Sequence, residues 1–257
     1  MMLGSRYLST VFTLAEFELR KLKHDFSEIG IRGVQPALWL LVFGETFANL
    51  RPVPTGAFSY IQFLTPGVLM QSVMFVAIFY GIMLVWERDL GLLNKLLSTP
   101  APRSAIVLGK AFSAGIRSIF QAIVVLALAL FIHVPLHVGA LEVLAVVAVI
   151  VLAGMCFSSL SMSLVPVFRT RERMMGIGQA ITMPLFFTSN AIYPISIMPP
   201  WLRVIATFNP LSYVVDAMRA LLVTGDFQTL PLDIGVMLSA TAIFASIAAL
   251  FFRRILD

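Results

Sequence analysis

Six stretches of this chain are long and apolar enough to cross a bilayer, and nothing else constrains its fold as strongly. They lie at about 33–50, 61–85, 111–132, 141–165, 174–193 and 233–252, each near the roughly 20 residues a spanning helix needs. Lipid offers no partner to a free amide or carbonyl, so such runs must close their backbone bonds internally, as helices. Composition agrees, with 59% hydrophobic and 12% charged residues against about 45–50% and about 25% in soluble domains. The expected class is an all-α integral membrane protein with six transmembrane helices in a single domain, 1–257. Its one cysteine, Cys156, lies inside an apolar run and excludes an internal disulfide.

The polar breaks between these runs set the orientation. Fifteen Lys and Arg fall in the N-terminal arm, in the second-to-third and fourth-to-fifth connections and at the C-terminus; Arg51, Arg203 and Arg219 fall on the other side. Basic loops stay cytoplasmic, so both termini are expected there, as an even number of spans requires. The sorting of these charges by membrane side also explains the net charge of +5 without nucleic-acid binding. In the arm, residues 1–30, Leu8, Val11, Phe12, Ala15, Leu19, Leu22 and Phe26 recur at helical spacing, with Glu16, Arg20 and Lys23 opposite. That pattern predicts an amphipathic helix lying in the membrane interface, in contact with lipid.

Two connections are unusual. Residues 86–110 form the longest polar interruption, carrying Glu87, Arg88, Asp89, Lys95, Arg103 and Lys110 around an expected short helix over Leu90–Leu97. Thr99-Pro100-Ala101-Pro102 stops that helix, because proline lacks an amide donor and restricts its predecessor. Residues 194–225 are too apolar for an ordinary external loop. Met198-Pro199-Pro200 opens one short helix, Asn209-Pro210 breaks it, and a second follows with Ser212, Asp216 and Arg219 on one face. Two half-length helices broken at proline predict a re-entrant hairpin, tolerated at membrane depth where protein or water covers it.

Polar residues within spans are costly and are functional candidates by default. Glu45 stands either on a permeation path or snorkelling to the interface near Arg51. Asp216 and Arg219, one turn apart, read as a mutually neutralising pair rather than as cargo ligands. Gln71, Gln179 and Asn190 read as interhelical hydrogen-bond partners, and Gly154-x-x-x-Ser158 and Ser159-x-x-x-Ser163 as a face for close helix approach. His133 and His137 flank Pro135 at a helix end and read as interfacial residues rather than metal ligands. The chain contains no GxxxxGK[ST] phosphate loop and no Ser-His-Asp or HExxH arrangement. An ATPase working with it would be a separate polypeptide, and the chain itself is not expected to be an enzyme.

In order and spacing, these pieces resemble the type-2 ABC transporter permeases, specifically the drug-exporter branch that includes daunorubicin-resistance and nodulation-factor permeases. The resemblance covers nearly the whole chain. It is carried by Tyr60-x-x-Phe63-Leu64-x-Pro66-Gly67, Glu87-Arg88-Asp89-x-Gly91, Leu97-Ser98-Thr99-Pro100-x-x-Arg103 with Leu108-Gly109-Lys110, and Phe208-Asn209-Pro210-Leu211-Ser212-Tyr213 through Asp216-x-x-Arg219. It implies a coupling element for an ATPase at Glu87, Arg88, Leu92, Leu93, Leu96, Leu97, Pro100 and Arg103, the leucines forming an apolar knob between charged flanks. Arg169 and Arg171 would add a smaller contact. Asn209, Pro210, Tyr213, Asp216 and Arg219 would build an outer gate, and the first, second and fifth spans would line a path between two permease copies. The resemblance further implies two copies of a partner ATPase holding ATP and magnesium, a homodimeric or heterodimeric permease, and a bacterial inner membrane. The expected cargo is an amphipathic drug-like or lipid-like compound; a polysaccharide or glycolipid exporter is the alternative within the family. A stand-alone channel or secondary transporter would show two related halves or paired midplane charges, and neither is clear here.

Overall fold

A computed structural model describes residues 32–50, 58–97, 102–137, 139–168 and 170–251, with four isolated positions in the N-terminal arm. The expected interface helix over residues 1–30, and the calls on Pro100 and Arg169, lie outside the described residues. Every regular element among the described residues is helical. Helix α1 (34–50) joins Val34–Leu38, a wider π turn over Trp39–Gly44, and Glu45–Leu50. Then come α2 (Tyr60–Asp89), α3 (Leu92–Leu97), α4 (Arg103–Phe131), α5 (Ala140–Leu164) and α6 (Arg171–Phe187). Helices α7 (Pro200–Phe208) and α8 (Pro210–Arg219), the latter extended by a π turn over Ala220–Thr224, precede α9 (Leu230–Phe251).

Four of these helices, α2, α4, α5 and α9, are long and apolar enough to cross a membrane. The expected first span, about 33–50, is helical over 34–50, and it and the fifth fall just short of that length. Both α1 and α6 are helical for seventeen residues, only about 25 Å at 1.5 Å per residue. The fifth was expected to run to 193 but is capped at Thr188 and turns, and its first turn carries Arg171, Glu172 and Arg173. The polar Thr188, Ser189 and Asn190 mark that turn in the sequence, but a window of average hydropathy passes over them.

Helix α2 is the hub. Its apolar window is 83% buried, against 22% for α9, so α2 forms the core and α9 offers most of its surface outward. Around α2 pack α4, α5, α6 and α8, and α9 closes the bundle against α5 and α8. The small residues of α5 do what their spacing predicts. A Cβ on Gly154 would lie 2.6 Å from the Gly115 Cα of α4, and one on Gly81 of α2 would lie 2.6 Å from the Ser158 carbonyl. Only hydrogen fits there, so the helices approach at backbone distance.

The charged connection is shorter than its sequence suggests. Helix α2 begins at a Ser59–Gln62 capping box and continues to Asp89 with one turn at Met83, so Glu87, Arg88 and Asp89 sit on its own last turn. Arg103 to Lys110 likewise form the first turns of α4. The helix expected over Leu90–Leu97 is confined to Leu92–Leu97, because Gly91 reverses the chain at φ +72°, a conformation glycine adopts without a Cβ clash.

Candidate functional site

At the end of α2 near Asp89, the ion pairs fall into an inner and an outer set. Lys110 Nζ contacts Glu87 Oε2 across the α2–α4 packing, and both side chains are largely buried. Outside it, Asp89 accepts from Arg88 at 3.0 Å and from Arg171 Nε at 2.8 Å, while the Arg171 guanidinium lies 5.7 Å from the Trp86 ring centroid. Arg171 is 82 residues from Asp89 in sequence. The two connections expected to make separate partner contacts are thus fastened into one corner. Asp89, the group that fastens them, was not among the expected contact residues; its place after Glu87-Arg88 was its only signal.

Beside this corner the α3 turn offers an uneven apolar surface. Leu90 is 68% and Leu92 41% exposed, whereas Leu93 is fully buried in the main core. Leu93 therefore cannot belong to an outward knob in this conformation, a correction to the expected contact set. Leu90, which was not in that set, is exposed beside it. A helix of six residues is too short for its periodicity to fix which leucine faces inward. Lys95 and Arg103 are exposed, and the side chains of Leu96 and Leu97 lie outside the description.

The opposite end of α2 gathers two motifs that sequence kept apart. Asn209 is 4% exposed. Its side-chain oxygen accepts from the Leu211 amide at 2.9 Å, and its amide nitrogen donates to the Leu185 carbonyl at 2.7 Å and to Thr188 Oγ1 at 3.0 Å. One side chain thereby caps α8 and ties the α7–α8 break to the end of α6. Pro210 fills the first helical position, where no amide is needed. The Tyr213 hydroxyl donates to the Thr207 carbonyl at 2.7 Å, bracing α8 against α7. Short helices broken at Asn209-Pro210 are thus found as expected.

Arg219 is the focus of this end. Its guanidinium donates to Asp216 Oδ1 at 2.9 Å and to the Asn190 carbonyl at 2.9 Å, and stands 3.9 Å from the Phe63 ring centroid. A planar guanidinium suits these three contacts at once. The expected Asp216–Arg219 pair is present; the stacking on Phe63, from the Tyr60-x-x-Phe63 motif, was not foreseen. Tyr60 donates to the Ile192 carbonyl at 3.2 Å. A Cβ on Gly67 would lie 2.3 Å from the Ala191 carbonyl, so Gly67 lets the turn after α6 press onto α2. Glu45 is exposed on α1 and joins neither cluster. No group of three or more His, Cys, Asp or Glu able to hold a metal occurs among the described residues.

The family model described as ABC-2 type transporter matches residues 9–223. Transport permease ycf38 of Porphyra purpurea is 31% identical over 192 residues, 72% of this chain and 64% of that protein. The chain thus spans just under two thirds of the length of this relative, and 65% of its counterpart in Pyropia yezoensis. Daunorubicin resistance ABC transporter permease protein DrrB1 of Streptomyces coeruleorubidus is 26% identical over 86% of this chain and 78% of its own. Inner membrane transport permease YadH of Escherichia coli K12 is 26% identical over 76% and 77%. With most of its length matched by the family model and a bundle of membrane-length helices behind it, the chain belongs to the ABC-2 type transporter family.

Proposed function

We propose that this chain is the membrane subunit of an ATP-driven exporter, coupled to a separate ATPase through the Asp89 corner. The observation that carries this reading is the Asp89–Arg171 bridge, which joins two connections into one platform beside exposed Leu90 and Leu92. Because Glu87 to Asp89 and Arg103 to Lys110 are turns of membrane-length helices, force on the platform passes directly into α2 and α4. ATP and magnesium are held by two copies of the partner. The permease acts as a pair of copies, the apolar outer face of α1 at Val34, Leu38, Leu41 and Val42 contributing to their shared path.

In this reading α1 and α6 complete six spans, with both termini on the ATPase side of a bacterial inner membrane. Helices α7 and α8 lie as a re-entrant hairpin at the outer leaflet, and Asn209, Pro210, Tyr213, Asp216 and Arg219 hold its shape while the path opens beneath it. The cargo is an amphipathic, drug-like or lipid-like compound. Two leucines leaving water contribute roughly 3–6 kcal/mol, and each exposed ion pair about 1 kcal/mol or less, so Leu90 and Leu92 dominate docking and the charges set register. Leu90→Asp with Leu92→Asp is expected to abolish co-purification of an ATPase of ABC type and cargo-stimulated ATP hydrolysis, with the permease still folded. Full transport by this variant would refute the docking assignment.

A further inference from the structure

The seam between α2 and α4 carries a line of polar residues. On α4, Lys110, Arg117 and Gln121 fall at i, i+7 and i+11, on one helical face. Lys110 meets Glu87, and the Arg117 guanidinium lies 4.9 Å from the Tyr80 ring centroid. Gln121 borders a cleft with Gln71 and Ser72 of α2 and with Arg32 and Gln35 at the start of α1, beside Phe75 and Val76. The cleft holds about 10 Å³, room for one oxygen of water size. Gln121 is 3% exposed, and neither its Oε1 nor its Nε2 has a hydrogen-bond partner.

A buried carboxamide unmet at both ends loses its hydration for nothing in return, a cost that an apolar side chain of the same shape avoids. Among the described residues nothing meets it, so its partner is a water or a ligand group of that size. That partner must accept from Nε2 and donate to Oε1 in the space of one oxygen. A water or a ligand hydroxyl does both; an oxyanion only accepts, and an ammonium only donates. Three carboxamides around the cleft offer the same pair of functions, Phe75 and Val76 line it, and the exposed Val34 and Leu38 flank its Gln35 and Pro36 on α1.

We propose that this α1–α2–α4 cleft binds the hydroxyl-bearing head group of an amphiphile, its hydroxyl at the Gln121 carboxamide and its tail along the apolar face of α1. Under the exporter reading above, the site names the head-group chemistry of the cargo. The test uses the full chain in phosphatidylcholine nanodiscs without any ATPase, so failure to find a coupled ATPase leaves it standing. The probe is octyl glucoside bearing a diazirine in its tail. It is expected to label the Val34–Leu38 face of α1, with competition by excess octyl glucoside and none by octyl trimethylammonium. Gln121→Met should cut that labelling at least tenfold while the melting temperature holds or rises, since Met fills the space without unmet polar atoms. Competition by a diacyl glycoside built into the nanodisc assigns the ligand to the bilayer; competition by octyl glucoside alone assigns it to single-tailed cargo. Wild-type labelling by Gln121→Met, or a fall in stability that accounts for the lost labelling, would overturn the proposal.

Discussion

Beside each end of α2 an aspartate is bridged to an arginine, Asp89 to Arg171 and, on α8, Asp216 to Arg219, but the bridges are built for different work. At the Asp89 corner the partners are 31% and 39% exposed, and the acid also binds its neighbour Arg88. At the far end the acid is as exposed, Asp216 at 37%, but Arg219 is only 13% exposed, packed on Phe63 and bonded to a backbone carbonyl as well as to Asp216. Charges left in water are weakly held and free to exchange partners. A charge taken out of water holds its surroundings in one arrangement, because any other leaves it unpaired. The comparison teaches that one end is made to be engaged from outside and the other to keep its shape. The buried Glu87–Lys110 pair behind the Asp89 corner fits the same rule: it fixes the helices on which the exposed charges ride.

The largest effect is expected where burial is greatest. Arg219→Ala strips three contacts and leaves Asp216 without its cation, an expected loss of about 2–3 kcal/mol, below the range for a fully buried pair because Asp216 is 37% exposed, read as a reduced yield of monodisperse protein and a lower melting temperature in detergent. Arg219→Lys should not restore it, since an ammonium cannot stack on Phe63 and bond two acceptors in one plane. A well-folded Arg219→Ala with altered cargo preference would make this end a selectivity site and erase the contrast.

A smaller loss is expected from Asn209→Ala, about 2 kcal/mol for a helix cap, since the substitution also frees the end of α6 from α8. Thermal unfolding measures it, and Asn209→Asp separates the roles: aspartate restores the cap to Leu211 but cannot donate to the Leu185 carbonyl. Partial recovery would sharpen the picture of one side chain serving two helices.

At the Asp89 corner the effect on folding should be smallest, under about 1 kcal/mol for Asp89→Asn, while export drops several-fold as Arg171 loses its tie to α2. The wild type should show the same weakness toward salt, because raising ionic strength from about 0.01 to about 1 M shortens the screening length from about 30 to about 3 Å. Export assayed in vesicles across that range tests it. Salt-insensitive export with a destabilised Asp89→Asn would place this corner in the structural class beside Arg219.

The features legible in sequence were those carried by local spacing. The Asn209-Pro210 break, the Asp216–Arg219 turn, the small-residue face of α5 and the membrane class each depend on residues within a few turns of one another. What sequence hid was contact across the bundle. Nothing near Asp89 points to Arg171, nothing near Phe63 points to Arg219, and nothing near Gln121 marks its carboxamide as unmet. Leu93 was misplaced because a six-residue helix after a left-handed glycine has too little length to declare its inner face. The first span runs as expected, 34–50 against about 33–50, while the fifth stops short of 193 because Thr188, Ser189 and Asn190 close a turn that a window of average hydropathy passes over.

Crosslinking tests the contrast between the ends most directly, and the buried position of Cys156, the only native cysteine, keeps introduced thiols unambiguous. Leu90→Cys stands 68% exposed at the Asp89 corner, and Phe208→Cys 83% exposed at the opposite end. In native membranes a bifunctional thiol–amine reagent is expected to join Leu90→Cys, and not Phe208→Cys, to a protein of ABC-ATPase size, with a yield that changes on adding ATP. A crosslink of that size at Phe208→Cys, or none at Leu90→Cys while export continues, would contradict the account.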